Sequence, residues 1–160
     1  MRSSVKVAKQ LGCKTAAEIG VYQGEHAFQM IEELGLKKIY LIDPYEVFIE
    51  PSSAMGRTPD FPDNEGIARD RLEKYKDQCV WIKKRSDVAT IPKVDFIYID
   101  GSHEYENVKA DLQRYYPLAN KLIAGHDYYW KPGVKKAVDE FCKTNNLKLH
   151  TQKPDWWIVK

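Results

Sequence analysis

Two glycines and an acid stand at the end of a short apolar run near the start of the chain. Gly20 and Gly24 are four residues apart, and Glu18 precedes the first of them by two residues. Glycines behind an apolar strand allow a tight turn and a close approach of the backbone to a bound nucleotide. The spacing differs from the dinucleotide fingerprint GxGxxG, because Tyr22 occupies the position of the second fingerprint glycine.

The acids around this loop indicate the charge of its ligand. Asp43 ends the next apolar run, where a carboxylate can accept both hydroxyls of a ribose. Dinucleotide enzymes and enzymes that use S-adenosylmethionine share that arrangement. Glu18 would repel a pyrophosphate, whereas it would attract the amino and sulfonium groups of S-adenosylmethionine. The loop therefore favours a sulfonium cofactor over a dinucleotide.

Polar residues also follow the three later apolar runs, and several could act on a proton or a metal ion. They are Ser86 and Asp87, Asp100 and His103, and His126 and Asp127. Asp and Ser also cap helices, which is a structural explanation for some of them. His103 is the best candidate for a general base because histidine titrates near neutrality, and the alternative is a histidine that only orders the Asp100 loop. We expect no chemical role for His26.

Predicted strands and helices alternate, which brings these polar residues to one edge of a sheet. Periodicity predicts strands over residues 15–21, 37–43, 79–86, 94–100 and 121–127. Helices are predicted over residues 3–11, 26–36, 63–76, 105–119 and 133–145, and two strands without a helix between them end the chain. The pattern predicts an α/β fold, a doubly wound and mostly parallel sheet with an antiparallel C-terminal strand. In such sheets ligands bind beyond the carboxyl ends of the strands.

We predict a single domain over residues 1–160. Residues 1–14 contain a short leading helix, and residues 45–66, rich in Pro, Ser, Gly and Asp, form a candidate lid loop. The net charge of +2 gives no basic excess for binding nucleic acid or a membrane surface. The three cysteines lack a CxxC spacing, and no apolar run has membrane-spanning length, so we expect a cytoplasmic protein.

Several segments together resemble a known family. The stretches "EIGVYQG", the acid in "YLIDPY", "FIYIDGSHEYENVKADL" and "GHDYYW" followed by "GVKKAVDEF" are similar to class I S-adenosylmethionine-dependent methyltransferases. They look most like the small-molecule O-methyltransferase group that includes macrolide-sugar methyltransferases. The resemblance runs from about Thr15 to the last residue. It implies a Rossmann-like, seven-stranded, mostly parallel sheet whose last strand inserts antiparallel.

The resemblance also implies roles for the polar residues at the strand ends. The loop residues Glu18, Gly20, Tyr22 and Gly24 would line the methionine side of the cofactor. Asp43 would hold its ribose, and Ser86 with Asp87 would flank its adenine. Asp100 would border the cofactor and begin the catalytic face, with His103 as the candidate base.

A divalent metal ion is a further cofactor that the resemblance suggests. Some sugar methyltransferases of this group bind such an ion through acids at positions that match Asp100, His126 and Asp127. His126 stands where an acid is usual, which favours an ion softer than magnesium. Both His126 and Asp127 could reach one ion only if the preceding strand ends by Gly125. The alternative is that these two side chains hydrogen-bond to loops.

The resemblance thus implies methylation of a hydroxyl on a small polar acceptor such as a sugar. A nicotinamide-dependent oxidoreductase on a similar sheet and a non-catalytic nucleotide-binding domain are the alternatives. The expected partner is the small-molecule acceptor, without nucleic acid or membrane, and the sequence leaves a homodimer open.

Overall fold

Strands and helices alternate in the order that the sequence predicts. In the computed structural model, residues 1–46 and 63–160 are described, so most of the candidate lid loop (residues 47–62) lies outside the described residues. The strands are β1 (Thr15–Ile19), β2 (Lys38–Ile42), β3 (Cys79–Ile82), β4 (Val94–Ile99), β5 (Ala119–Gly125), β6 (His150–Gln152) and β7 (Asp155–Val159). The helices are α1 (Ser3–Gln10), α2 (Glu25–Leu34), α3 (Asn64–Leu72), α4 (Tyr105–Tyr115) and α5 (Pro132–Thr144).

The seven strands form one sheet in the order β3-β2-β1-β4-β5-β7-β6. Neighbours among β1 to β5 run parallel, and β7 runs antiparallel to both β5 and β6. The predicted doubly wound sheet with an antiparallel C-terminal strand is therefore confirmed. The last two strands form a hairpin because no helix lies between them to carry a parallel crossover.

Several predicted strands are longer than the observed ones, and the difference is largest for two of them. Residues 79–86 were expected as a strand, but β3 ends at Ile82 because the charged residues that follow it are exposed. The sequence also predicts that the stretch "LKLHTQ" (residues 147–152) forms the first of the two final strands, but the observed β6 begins only at His150.

Each face of the sheet is covered by helices and has its own apolar core. One core packs α4 and α5 against the side chains of Ile97, Ile99 and Ile123. The other packs α1 and α2 against side chains that include Phe96 and Tyr98. Because both faces of the sheet are buried, the sequences of the central strands are nearly continuous apolar runs. Within the described ranges, no helix has the length and apolarity needed to cross a bilayer.

The strand order reverses between β1 and β4, and this defines where a ligand can bind. From β1 the sheet continues to β2 and β3 on one side, and from β4 it continues to β5 on the other. The crossovers leave these two neighbouring strands in opposite directions, so a crevice opens beyond their carboxyl ends. The residues that directly follow β1, β2, β4 and β5 lie at this crevice.

Helix α1 is attached to this edge by a buried carboxylate. Asp155, at the start of β7, is 0% exposed. It accepts hydrogen bonds from the Ser4 backbone N–H (3.1 Å), from the Ser4 hydroxyl and from the Tyr98 hydroxyl (2.9 Å). Breaking any of these contacts would leave a buried charge under-solvated, so the start of α1 is held firmly against β4 and β7.

Helix α4 holds the loop after β3 in a similar way. The Tyr115 hydroxyl donates to the Ser86 carbonyl oxygen (2.7 Å), and Ser86 in turn hydrogen-bonds to the buried Asp111 carboxyl. Burial raises the pKa of Asp111 to about 6, although the bond from Ser86 opposes that rise. A carboxyl group that ionises less readily when folded than when unfolded destabilises the fold as the pH rises.

We expect Asp111→Asn to stabilise the protein at pH 7.5 and to have little effect at pH 4. Stability from Asp111 is complete below its unfolded pKa and is lost as the pH rises from that value to about 6, above which the loss is constant. The neutral amide avoids that loss, which amounts to about 3 kcal/mol at most. The measurement is urea unfolding of both proteins across this pH range.

Asp70→Asn is the matched control because Asp70 is an exposed acid on α3. It removes the same charge without touching a buried site. A stability gain of equal size from both variants, or a gain from Asp111→Asn that does not depend on pH, would contradict the role of burial.

Candidate active site

The turn after β1 passes in close contact with the end of β4. Gly20 has a φ of +86°, and a Cβ built on it would lie 2.2 Å from the carbonyl oxygen of Asp100. The Gly20 N–H donates to the Ile42 carbonyl (2.9 Å), and the Asp100 N–H donates to the Ile19 carbonyl (2.7 Å). Glycine is therefore required at position 20, and the turn is fixed between β2 and β4.

Asp43 shapes the same turn from the end of β2. Its Oδ2 accepts hydrogen bonds from the backbone N–H groups of Val21 (2.9 Å) and Tyr22 (3.0 Å), and its Oδ1 accepts one from Tyr45 (2.8 Å). An ionised carboxylate has about four acceptor sites, so capacity for about one more donor is left. The predicted contact with a ribose hydroxyl is compatible with this geometry and stays a prediction.

The middle of the turn exposes an aromatic ring. Tyr22 has a φ of +52° and is 62% exposed, so its ring is accessible to a ligand at the rim of the crevice. Gly24 also has a positive φ, of +75°, and a Cβ on it would lie 3.3 Å from the Ala68 Cβ. Gly24 therefore packs closely against α3. This packing is a structural reason for a glycine at position 24, as an alternative to the predicted role of admitting the cofactor.

Beneath the turn, Glu18 forms a buried pair with His26. Glu18 is 1% exposed, and its Oε1 lies 2.8 Å from His26 Nδ1. Burial raises the pKa of Glu18 well above its usual range, an effect that the Arg2 charge opposes. Burial, together with Arg2, lowers the pKa of His26 to about 3. Burial thus disfavours the charged form of both side chains.

Two polar atoms of this pair have no partner among residues 1–46 and 63–160. They are Glu18 Oε2 and His26 Nε2, and both are buried. Buried polar atoms are almost always hydrogen-bonded, so an unpartnered pair next to a ligand crevice indicates groups that a ligand could satisfy. His26 was given no role from the sequence, and its position eight residues after Glu18 carries no recognisable spacing signal.

Across the crevice, the ends of β4 and β5 bring two acids and two histidines together. His103 Nε2 lies 2.8 Å from Asp127 Oδ2. His126 Nδ1 lies 3.1 Å from Asp127 Oδ1 and 3.7 Å from Asp100 Oδ1. Strand β5 ends at Gly125, and Asp127 has a φ of +60°, so His126 and Asp127 need not point to opposite faces. Four residues selected from the sequence thus form one cluster.

The charge of this cluster depends on its hydrogen bonds. Burial alone would raise the pKa of Asp127, but hydrogen bonds from His103 and His126 outweigh it and hold that pKa well below its usual range. Burial raises the pKa of Asp100, while His126 and Arg2 oppose the rise. These hydrogen bonds favour the ionised form of Asp127 beside an imidazole, which is the arrangement that orients and supports a general base.

The cluster also has the donor set of a metal site. One ligand atom from each of Asp100, His103 and Asp127 lies within 4.8 Å of the other two. Two carboxylates with one imidazole suit manganese, iron or zinc better than magnesium. His103 joins Asp100 and Asp127 in this set, whereas the sequence favoured His126 as the third ligand.

Ser86 and Asp87 lie apart from this cluster, in the loop after β3, and β2 separates β3 from β1. Ser86 is held by Tyr115, as described above, and the Asp87 carboxylate pairs with Arg85 (3.2 Å) in an exposed position. Their predicted contact with adenine stays a prediction.

The sequence matches the family described as "Methyltransferase domain" over residues 17–128, which is more than half of the chain. A curated relative, the uncharacterized protein R132 of Acanthamoeba polyphaga mimivirus, is 27% identical over 133 residues. The match covers 79% of this chain and 58% of the relative, so this chain spans just over half of that protein.

Solved structures share the fold. The cofactor-bound structure of Rv0187 from MTB has a TM-score of 0.74 and 13% identity, and the alignment covers 97% of this chain and 76% of that one. An O-methyltransferase from Bacillus cereus, solved in complex with SAH, has a TM-score of 0.61 and 14% identity over 98% of this chain and 78% of that one. At sequence identities of 13% and 14%, these two structures show only that this chain shares their fold.

We expect Asp43→Ala to release the turn that follows β1. Each lost N–H bond to the carboxylate removes a charge-assisted hydrogen bond, so the Val21 and Tyr22 amides should exchange with solvent about 10- to 100-fold faster. The measurement is amide hydrogen exchange by NMR at constant pH.

Asp95→Ala is the matched control, because Asp95 accepts from the Lys14 and Thr15 amides at the opposite end of β1. It should speed exchange there and leave Val21 and Tyr22 unchanged. Equal exchange at Val21 and Tyr22 in Asp43→Ala and the unmodified protein would show that Asp43 does not hold the turn.

Proposed function

This chain belongs to the methyltransferase domain family, and from that premise we propose that it transfers a methyl group from S-adenosylmethionine to a hydroxyl of a small polar acceptor, such as a sugar. The family match favours methyl transfer over the nicotinamide-dependent oxidation that the sequence left open. It agrees with the missing second glycine of the dinucleotide fingerprint, where Tyr22 stands.

The observation that carries the proposal is the contact between Gly20 and Asp100. A Cβ on Gly20 would lie 2.2 Å from the Asp100 carbonyl oxygen, so the turn that would hold the cofactor abuts the acid–histidine cluster. A methyl group carried beyond β1 would therefore lie close to an acceptor held beyond β4 and β5. Methyl transfer needs the nucleophile in line with the carbon–sulfur bond, and such positioning supplies most of the rate.

His103 is the residue that we assign to the proton of the acceptor. Its hydrogen bond to Asp127 (2.8 Å) orients the ring and places the proton of the neutral imidazole on Nε2. When bound, S-adenosylmethionine would supply the methyl group, and its sulfur would keep the electron pair of the broken carbon–sulfur bond. His103 would take the hydroxyl proton of the acceptor, and the Asp127 carboxylate would stabilise the imidazolium.

A divalent ion is an alternative way to activate the hydroxyl. Asp100, His103 and Asp127 would hold it, and when bound it would lower the pKa of the acceptor hydroxyl. One nitrogen of His103 cannot both take the proton of the acceptor and bind a metal ion. In the first mechanism His103 is a general base, and in the second it is a metal ligand. Asp127 supports either of them.

The exposed side chain of Trp130 supports a small polar acceptor that contains a ring. Trp130 is 56% exposed, and its ring centroid lies 5.9 Å from that of His126. An exposed indole beside a polar cluster offers a flat surface for the apolar face of a ring whose hydroxyls point to the acids. A small cyclic polyol or a catechol would fit this combination.

We expect Asp100→Ala to bind S-adenosylhomocysteine (SAH) nearly as well as the unmodified chain but to lose methyl transfer. The backbone of Asp100, which contacts Gly20, is retained, whereas the carboxylate of the cluster is lost. Calorimetry with SAH and a methyl-transfer screen over sugars, catechols and nucleotides measure the two properties. The control is Glu33→Gln, which removes an exposed acid paired with Lys9. Normal turnover in Asp100→Ala would remove that residue from the mechanism.

A second experiment separates the base from the metal ion. We expect transfer to persist in EDTA and to fall by about 100-fold or more in His103→Gln, as for loss of a general base. Transfer that stops in EDTA and returns with Mn²⁺ would instead assign His103 to an ion. If neither SAH binding nor transfer to any acceptor is found, the chain is a non-catalytic relative.

A further inference from the structure

Arg2 is a cation at the ligand crevice that comes from a distant part of the chain. Its Nη1 donates to the Tyr98 hydroxyl and lies 3.7 Å from Asp155 Oδ1 and 3.9 Å from Asp100 Oδ2. Tyr98 is separated from Arg2 by 96 positions in the sequence, so no local pattern reveals this contact. A guanidinium keeps its charge throughout the physiological pH range.

The position of Arg2 is fixed by the packing of α1. Arg2 directly precedes α1, and Ser4 in the first turn of that helix makes two hydrogen bonds to the fully buried Asp155. Moving the helix would remove two hydrogen-bond donors from that buried carboxylate, which would lower the stability of the fold. These bonds hold the start of α1, and with it Arg2, against the sheet.

Part of the guanidinium is available to a ligand. The contacts with Tyr98, Asp155 and Asp100 all involve Nη1. Nε and Nη2 make no hydrogen bond to any residue in the part of the chain that the structure describes, and the side chain is 27% exposed. These two nitrogens form one edge of the planar guanidinium, and such an edge matches the two oxygens of a carboxylate.

Arg2 and Glu18 are linked through two aromatic rings. The Tyr98 hydroxyl accepts from Arg2, the Tyr98 and His26 ring centroids lie 3.9 Å apart, and His26 Nδ1 lies 2.8 Å from Glu18 Oε1. Glu18 also has a buried oxygen, Oε2, without a partner among the described residues. An acid with an unpartnered acceptor and a cation with unpartnered donors therefore lie close together at the crevice. A ligand with an ammonium group and a carboxylate on one carbon atom would complement both.

We propose that Arg2 binds the carboxylate of the amino-acid end of the cofactor through Nε and Nη2, with Glu18 receiving the ammonium group of the same zwitterion. This inference rests on the proposed function, because it takes S-adenosylmethionine as the ligand. It makes α1 part of the cofactor site. It also gives the cation beside Asp100 and Asp155 a role beyond neutralising those two acids.

The test compares three ligands that differ only at the amino-acid end. SAH has both charged groups, its decarboxylated analogue keeps the amine alone, and 5′-methylthioadenosine has neither. We expect Arg2→Met to weaken SAH binding by about 10- to 100-fold, the usual range for a charge-assisted bond. Binding of the other two ligands should be unchanged, and Arg2→Lys should restore part of the SAH affinity. Calorimetry at constant pH and ionic strength measures all nine pairs.

The controls separate binding from folding. Lys9→Met is matched because Lys9 lies on α1 but pairs with Glu33 on the helix surface (3.2 Å), and it should change none of the three affinities. Thermal unfolding of each variant shows whether α1 is still attached.

Three results would overturn the inference. In the first, Arg2→Met binds SAH as the unmodified chain does. In the second, it loses affinity equally for all three ligands, as a purely structural role requires. In the third, the unmodified chain binds none of the ligands, which overturns the proposed function as well. The first two leave the proposed function intact, so the two failures are distinguishable.

Discussion

The contact between residue 20 and the Asp100 carbonyl oxygen is the constraint on which the candidate site depends. A side chain at position 20 would begin 2.2 Å from that oxygen, which no packing adjustment of a backbone atom can accommodate. Only glycine lets the turn after β1 lie against the end of β4. Because that turn is also pinned by Asp43, the groups around Glu18 and those around Asp100 are held at a constant separation.

Buried carboxylates provide the remaining order at this edge of the sheet. Asp155 joins α1 to β4 and β7, and Asp111 joins α4 to the loop after β3. Glu18 differs from both, because one of its oxygens has no donor within residues 1–46 and 63–160. Because buried polar atoms are almost always hydrogen-bonded, the unpartnered oxygen of Glu18 supports a donor group of a ligand at this position.

Much of the fold could be predicted because its signals are local. Alternating apolar runs and amphipathic stretches give the strands and helices within a few residues, and the absence of a helix between the last two strands requires an antiparallel hairpin. The errors have local causes too. The predicted first strand continued to residue 21, but β1 ends at Ile19 because Val21 and Tyr22 donate their amides to Asp43 instead of to a strand.

The sequence by itself determined the sheet, the family and the set of polar residues at the strand ends, since the order of strands brings their carboxyl ends to one edge. Only the tertiary structure decided which of those residues meet. It grouped His103 with Asp100 and Asp127, paired Glu18 with His26 and brought Arg2 to Tyr98. Such contacts depend on how α1 and the loops pack in three dimensions. Because they join residues far apart in the chain, no spacing in the sequence encodes them.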